Sequence, residues 1–198
     1  MGFHHFELRT TDVAAARKFY EAVLLEPLDA LVTELPAIAR ARGAPSHWLG
    51  HLHVDDLEGT VTSFLEAGAE RLGPARRCDE GAPIIGLRDP LGAVVALTSR
   101  PIRTTARALP IHLSHAPERA RQLYALDALF LPITDEKTHA QWIFPFVVTN
   151  FDQLVGRVRE LGGDALITTT ADGRRTAYSH DAQGAAFAVL EAPSFPHT

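Results

Sequence analysis

Residues 47–70 read HWLGHLHVDDLEGTVTSFLEAGAE and predict a β-strand followed by an amphipathic helix. The strand ends at Val54, and Asp56 is a residue type that accepts hydrogen bonds from the first turn of a helix. Apolar side chains then recur at helical spacing as far as Gly68, where a glycine predicts a left-handed helix end. One strand packed under one helix is therefore the unit from which the fold is built.

The same pattern returns in VTNFDQLVGRVRELGGD, which starts at Val148, 94 positions after Val54. This copy has Asn150 at the N-cap and Gly162 at the helix end. A second match follows each helix, because LRDPLGAVVAL (87–97) and SHDAQGAAFAVL (179–190) both predict a turn followed by a strand. The matching tryptophans before the two helices are Trp48 and Trp142, and both are predicted to pack in the core.

A fainter repeat links the remaining segments of the chain. DVAAARKFYEAVL (12–24) and PERARQLYAL (117–126) each follow a short strand, and Tyr20 matches Tyr124. The chain thus contains four strand–helix units. Units two and four continue with three strands, whereas units one and three are shortened to one or two. This order of elements predicts an α+β fold.

The plan resembles the glyoxalase/bleomycin-resistance/dioxygenase group, also called the vicinal oxygen chelate superfamily. The residues that carry the resemblance are FELRTTDVAAARKFY (6–20), 47–70 and 87–97. It implies repeated βαβββ units that form two glyoxalase-like domains, 1–102 and a more divergent 103–198, and it implies a homodimer. The chain departs from the family at Leu25, where a glycine usually follows the first helix, and at Ala116, where an aspartate is usual.

Composition narrows the class of protein. The 198 residues are 46% hydrophobic and 22% charged with a net charge of −5, as in an ordinary globular protein. This charge predicts no nucleic-acid partner and no anionic membrane surface. No apolar run is long enough to cross a bilayer, and the N-terminus has no signal-peptide core. The single cysteine, Cys78, excludes an intrachain disulfide and favours a cytoplasmic location.

Strand alternation predicts which side chains line a cleft on the sheet face that lies away from the helices. The apolar residues Leu8 and Leu52 should face the helices, and His4 should pack on that same side. The opposite face then forms the candidate ligand-binding set: His5, Glu7, Leu49, His51, His53 and Ala96.

The resemblance implies metal ligands on the first and last strands of paired units. By motif match, His5 occupies the first-strand position, the place of a second histidine falls on Leu49, and the place of the final glutamate falls on Ala96. In the second half the matching positions are Leu109 or Pro110, Ile143 and Ala188. A divalent site needs about three donor side chains, so we expect no metal at the usual positions and no cofactor.

Three functions remain open. The first is binding of a small, partly apolar molecule in the strand-lined cleft without the usual metal. The second is a lyase, isomerase or ring-cleaving dioxygenase that holds zinc, nickel or iron at a displaced site around His5, Glu7, His51 and His53. The third is a non-catalytic dimerisation or interaction module whose cleft is filled by its own side chains. In a metal-free role, Glu7 would orient a histidine that binds a polar group or acts as acid–base.

Overall fold

The structure, a computed structural model, describes residues 1–25, 28, 31–41, 43–77, 81–101, 109–134, 138–169 and 173–193. The helices are α1 (Val13–Leu24), α2 (Ala37–Ala41), α3 (Leu57–Glu66), α4 (Pro117–Tyr124) and α5 (Phe151–Glu160). The strands are β1 (Gly2–Thr10), β2 (Leu31–Glu34), β3 (His47–His53), β4 (Glu70–Arg71), β5 (Arg76–Arg77), β6 (Pro83–Arg88), β7 (Val94–Thr98), β8 (Ile111–Ser114), β9 (Leu129–Pro132), β10 (Gln141–Ile143), β11 (Pro145–Val148), β12 (Asp164–Thr169), β13 (Arg175–His180) and β14 (Ala186–Glu191). These elements confirm the α+β class.

The strands form three sheets. The first has the order β2-β1-β3-β7-β6-β4, with β5 paired to β6, and the others have the orders β10-β8-β9 and β11-β14-β13-β12. In the first sheet β3 runs parallel to β7, and β7 runs antiparallel to β6. The third sheet repeats this arrangement, because β11 is parallel to β14 and β14 is antiparallel to β13. That each group is a copy of one βαβββ unit stays a prediction.

The segment after Trp142 is not one continuous strand. It is broken at Phe144 into β10 and β11, which belong to different sheets. Ile143 therefore does not share a sheet with Pro145 and Val147. Strand periodicity gave no sign of this break because all the residues around it are apolar or proline.

Most helix ends follow local sequence chemistry, but the Asn150 side chain, at the predicted N-cap of α5, makes no cap hydrogen bond. The Asp12 side chain accepts from Ala15 N at 3.0 Å and begins α1, and Asp56 accepts from Gly59 N at 2.9 Å and begins α3. Ala116 provides no side-chain cap for α4, as its sequence predicts. Gly68 and Gly162 adopt the predicted left-handed conformation, with φ of 101° and 86°.

Two helices end in a left-handed conformation without a glycine. Leu25 has φ of 61° after α1, and Ala125 has φ of 46° after α4. A side chain makes this conformation unfavourable by about 1–2 kcal/mol. Leu25 therefore adopts a left-handed conformation that favours glycine, although it carries a side chain.

The chain divides into two compact units, each with residues from both halves of the sequence. The first unit comprises Met1–Glu7 and Leu49–Ile143, and the second comprises Leu8–Trp48 and Phe144–Thr198. The predicted boundary at residue 102 falls within 102–108, outside the described residues, so the domains 1–102 and 103–198 stay a prediction. No helix in the described residues is long and apolar enough to cross a membrane.

Each unit has a core of aromatic rings that meet edge to face. In the first unit the Tyr124 ring lies 5.4 Å from Phe64 and 4.9 Å from Trp142. In the second unit the Tyr20 ring lies 5.4 Å from Trp48 and 5.4 Å from Phe187. Both tryptophans are buried, which confirms the predicted core role. Such ring pairs add about 0.5–1.5 kcal/mol beyond the area they bury.

Candidate functional site

A buried glutamate–histidine pair lies in the first unit. His51 on β3 places its Nε2 2.9 Å from Oε2 of Glu7 on β1. Glu7 is 6% exposed and His51 is 2% exposed. The alternation of side chains along both strands predicted that these two residues share a face, and the contact places them together there.

His5 lies over this pair. Its ring stacks on the His51 ring with the centroids 4.1 Å apart and the planes 20° apart. Burial, together with the neighbouring His51, lowers the pKa of His5 to about 4. His5 is therefore neutral at pH 7 and can donate one hydrogen bond and accept another. His4 is buried and its Nδ1 contacts the carbonyl oxygen of Pro101, but its ring also meets the His5 ring edge to face with the centroids 4.6 Å apart, so the predicted separation of His4 and His5 onto opposite faces is not what the rings show.

The strand register places small residues beside His51. Ala96 on β7 is the direct cross-strand neighbour of His51, and Gly86 on β6 is the neighbour of Ala96. Leu49, which the motif match put at a ligand position, is two residues before His51 and 2% exposed, and Ala96 is 1% exposed. The row His51–Ala96–Gly86 therefore joins a polar group to two of the smallest side chains.

His53 has a different partner. Its Nε2 lies 3.2 Å from Oδ1 of Asp55, a side chain that is almost fully exposed. The Nδ1 atoms of His51 and His53 are buried and have no hydrogen-bond partner among the residues that the structure describes. The structure thus joins His5, Glu7 and His51 by direct contacts and pairs His53 with the following loop.

The described part of the chain contains no group of three or more His, Cys, Asp or Glu side chains that could hold a metal ion. The Glu7 carboxylate already contacts His51, and neither Leu49 nor Ala96 carries a donor atom. The positions Ile143 and Ala188 are likewise apolar. The described donors therefore do not fit the metal set that the resemblance implies.

Sequence reasoning read DPLG as a turn and missed a second role for Asp89. Its Oδ1 accepts from Leu91 N at 2.8 Å and Ala93 N at 2.9 Å, which forms the turn. Its Oδ2 accepts from the Tyr124 hydroxyl at 2.8 Å and lies 3.3 Å from His112 Nε2. Burial by itself raises the pKa of Asp89, but the hydrogen bonds from His112, Tyr124 and Leu91 N hold it below its ordinary value.

The second unit contains the corresponding turn. Asp181 Oδ1 accepts from Gln183 N at 2.8 Å and Ala185 N at 2.9 Å. Trp48 Nε1 donates to the Tyr20 hydroxyl at 3.0 Å. Burial and the nearby Asp181 raise the pKa of Tyr20 well above its ordinary value, as burial and Asp89 do for Tyr124. The shared D-x-x-G turn and the matched tyrosines were the sequence signal for these two networks.

Two surface cavities are lined by residues other than those of the histidine cluster. One of about 270 Å³ is lined by the start of α1 and by Asp181 to Gln183, and one of about 430 Å³ is lined by Glu34, Leu35 and α2. Arg40 forms an exposed ion pair with Glu34. Cys78 lies outside the described residues.

Comparison with known proteins gives a likeness of structure only. No protein-family model and no curated protein matches the sequence. The Mn(II)-bound glyoxalase from Novosphingobium aromaticivorans superposes with a TM-score of 0.60 at 12% identity, over 96% of this chain and 81% of that one. The 2,3-dioxygenase LapB from Pseudomonas sp. KL28 gives 0.56 at 13%, over 99% and 93%.

An extradiol ring-cleaving dioxygenase from B. fuscum gives a TM-score of 0.59 at 12% identity, over 98% of this chain and 72% of that one. Identities this low carry information about fold and not about activity. The order of strands and helices and these superpositions agree with the resemblance seen in residues 6–20, 47–70 and 87–97. The chain has the fold of the glyoxalases and extradiol dioxygenases, which is the fold of the vicinal oxygen chelate superfamily.

Proposed function

We propose that this protein binds a small, partly apolar molecule on the inner face of its first sheet, and that it does so without the metal usual in the family. The observation that carries the proposal is the row His51–Ala96–Gly86 across β3, β7 and β6. The row provides a polar group, His51, at one end. Beside it the small residues Ala96 and Gly86 form what we call the low floor, because their side chains leave room for a ligand. Small-molecule sites are commonly apolar with a few polar groups.

The polar end consists of His5, Glu7 and His51. Neutral His5 is partly exposed above the buried pair, so it is the first polar group that an incoming molecule would meet. Ile84 and Val94 are half-buried on the flanking strands and supply apolar surface. A ligand with an apolar body and one polar group fits this division.

The third sheet has a row of residues equivalent to His51–Ala96–Gly86, and its composition supports placing the ligand on the first sheet. Pro145 pairs with Ala188, and Ala188 pairs with Tyr178. Proline offers no side-chain donor or acceptor, and a tyrosine ring stands where the first sheet has Gly86. The second row therefore lacks both the polar end and the low floor.

The side chains at the expected metal-ligand positions support a function without a metal. Of the positions that the resemblance assigns to metal ligands, Leu49, Ile143, Ala96 and Ala188 carry no donor. The metal named for the Novosphingobium glyoxalase is a property of that protein. At the alternative displaced site around His5, Glu7, His51 and His53, the Glu7–His51 contact would leave Nδ1 of His51 as the nitrogen that could bind a metal.

The proposal is tested by thermal unfolding with a panel of small apolar and aromatic compounds. A ligand at about 100 times its Kd adds about 2.7 kcal/mol to the free energy of unfolding. We expect Gly86→Tyr, which copies Tyr178 into the first row, to abolish the stabilisation. Tyr178→Ala is the matched control and should retain it. Stabilisation that survives Gly86→Tyr would place the ligand elsewhere.

Metal analysis of protein purified without a histidine tag tests the metal-free part separately. We expect less than stoichiometric zinc, nickel, iron or manganese. Stoichiometric metal that is lost in His51→Ala would instead establish the displaced site and favour the lyase, isomerase or dioxygenase alternative.

A second candidate is a metal-free acid–base enzyme, and the Glu7–His51 contact favours it. A carboxylate behind an imidazole fixes its orientation, as general-base catalysis requires. Incubating the protein with any bound compound and recording proton NMR spectra for exchange or conversion tests this. Turnover that is lost in Glu7→Ala while binding persists would support catalysis.

The interaction module is the third candidate, and the near-complete burial of Leu49 and Ala96 favours it. Sedimentation analysis distinguishes it, because a stable dimer with no response to any compound would indicate a closed face kept for assembly. The homodimer and the cytoplasmic location stay predictions of the sequence.

A further inference from the structure

We propose that the ligand of this site must donate a hydrogen bond, and that Nδ1 of His51 is the atom that receives it. The ligand class is thus a hydroxyl or N–H compound, and not a simple ketone or ether. This inference rests on the proposed binding function and adds the polarity of the group that is recognised.

Glu7 fixes the position of the hydrogen on His51. The Glu7 Oε2 to His51 Nε2 distance is 2.9 Å, which is a hydrogen bond. When Glu7 is ionised its carboxylate can only accept, and the hydrogen then lies on Nε2 of His51. In the neutral ring Nδ1 then carries a lone pair and is an acceptor.

The second nitrogen has no partner to satisfy it. His51 Nδ1 is buried and meets no hydrogen-bond donor among the described residues. With the hydrogen on Nε2, Nδ1 is an acceptor that the described residues leave unfilled.

His5 does not fill that acceptor position. The rings of His5 and His51 stack nearly parallel, 20° apart, with centroids separated by 4.1 Å. The lone pair of an imidazole nitrogen lies in the ring plane, whereas a stacked ring lies above it. His5 therefore covers the face of His51 and leaves the in-plane direction of Nδ1 to another group.

This arrangement discriminates between ligands of the same shape. A hydroxyl can donate a hydrogen bond to Nδ1. A carbonyl oxygen cannot, because it and Nδ1 are both acceptors, and both would stay unpaired. Sites that hydrogen-bond a ligand group reject analogues that lack the group, because the buried partner is then unsatisfied. We expect at least about tenfold tighter binding of the donor, which corresponds to about 1.4 kcal/mol.

Long-range ¹H–¹⁵N NMR spectra of the histidine rings test the tautomer in the wild-type protein. We expect His51 as the Nε2–H form, assigned by its loss in His51→Gln. His180 is the internal control, because its Nδ1 lies 2.9 Å from Oδ1 of Asp164 and it should be the Nδ1–H form. A His51 signal of the Nδ1–H form would overturn the inference without touching the proposed function.

Titration with cyclohexanol and cyclohexanone, which share one skeleton, tests the ligand class. Cyclohexanol should shift His51 Nδ1 and bind at least about tenfold tighter than cyclohexanone. Equal binding of both, or binding that leaves Nδ1 unmoved, would overturn the inference and leave the binding function standing. No response of His5 or His51 to either probe, or to any compound in the panel, would overturn both proposals.

Discussion

The two compact units share one structural device and differ in one row of side chains. In each unit the aspartate of a D-x-x-G turn accepts hydrogen bonds from backbone N–H groups of that turn and lies near a buried tyrosine. This aspartate is Asp89 in the first unit and Asp181 in the second. Only the first sheet sets a histidine beside its small floor residues in the described register, whereas the third sheet has Pro145 there. The shared turn supports the fold of both units, and the row that differs is where we propose that the ligand binds.

The largest predicted effect tests the shared device. Asp89→Ala removes the turn bonds and leaves Tyr124 and His112 without their acceptor, which should cost about 4 kcal/mol. Asp181→Ala should cost about 2 kcal/mol, because His112 has no counterpart there among the described contacts. Urea unfolding measures both. Equal losses would contradict the difference between the two networks.

A second prediction tests whether the first row is a metal site that lacks one donor. Ala96→Glu buries a carboxylate beside His51 and Glu7 and should destabilise the protein, but zinc at about 100 times its Kd should restore about 2.7 kcal/mol. Ala96→His is a milder variant with a neutral donor. Ala188→Glu is the matched control beside Pro145, and zinc should not restore its stability. Equal recovery of both would indicate nonspecific zinc binding.

The sequence predicted much of this and failed at identifiable points. Alternation along β1 and β3 placed Glu7 and His51 on one face, and turn chemistry placed Gly68 and Gly162 at helix ends. It did not predict that His51 neighbours Ala96, because that depends on the register of two strands about 45 residues apart. The contact of Asp89 with Tyr124 was missed for a similar reason, since it depends on tertiary packing. No local pattern marked the break at Phe144.

A third prediction concerns acid stability. Because the pKa of His5 falls to about 4 in the folded protein from an ordinary 6.5, the unfolded state binds more protons between these values. Stability should therefore decrease as pH falls from about 6.5 to 4. His5→Gln should remove about 1 kcal/mol of that decrease, a value reduced because the ring is partly solvated. Unfolding curves recorded across this pH range for the wild-type protein and the variant measure the effect.

The smallest predicted effect asks why Gly86 is a glycine. A Cβ at this position would lie 3.8 Å from Leu72 Cβ, which is an ordinary contact. Alanine should therefore stabilise the strand by about 0.5 kcal/mol. Gly163 in the second unit is the contrast, since its Cβ would lie 2.4 Å from the His180 carbonyl oxygen, and Gly163→Ala should destabilise. If Gly86→Ala also destabilises, the backbone requires this glycine. If it stabilises, folding does not explain the residue, which is what the proposed ligand site predicts.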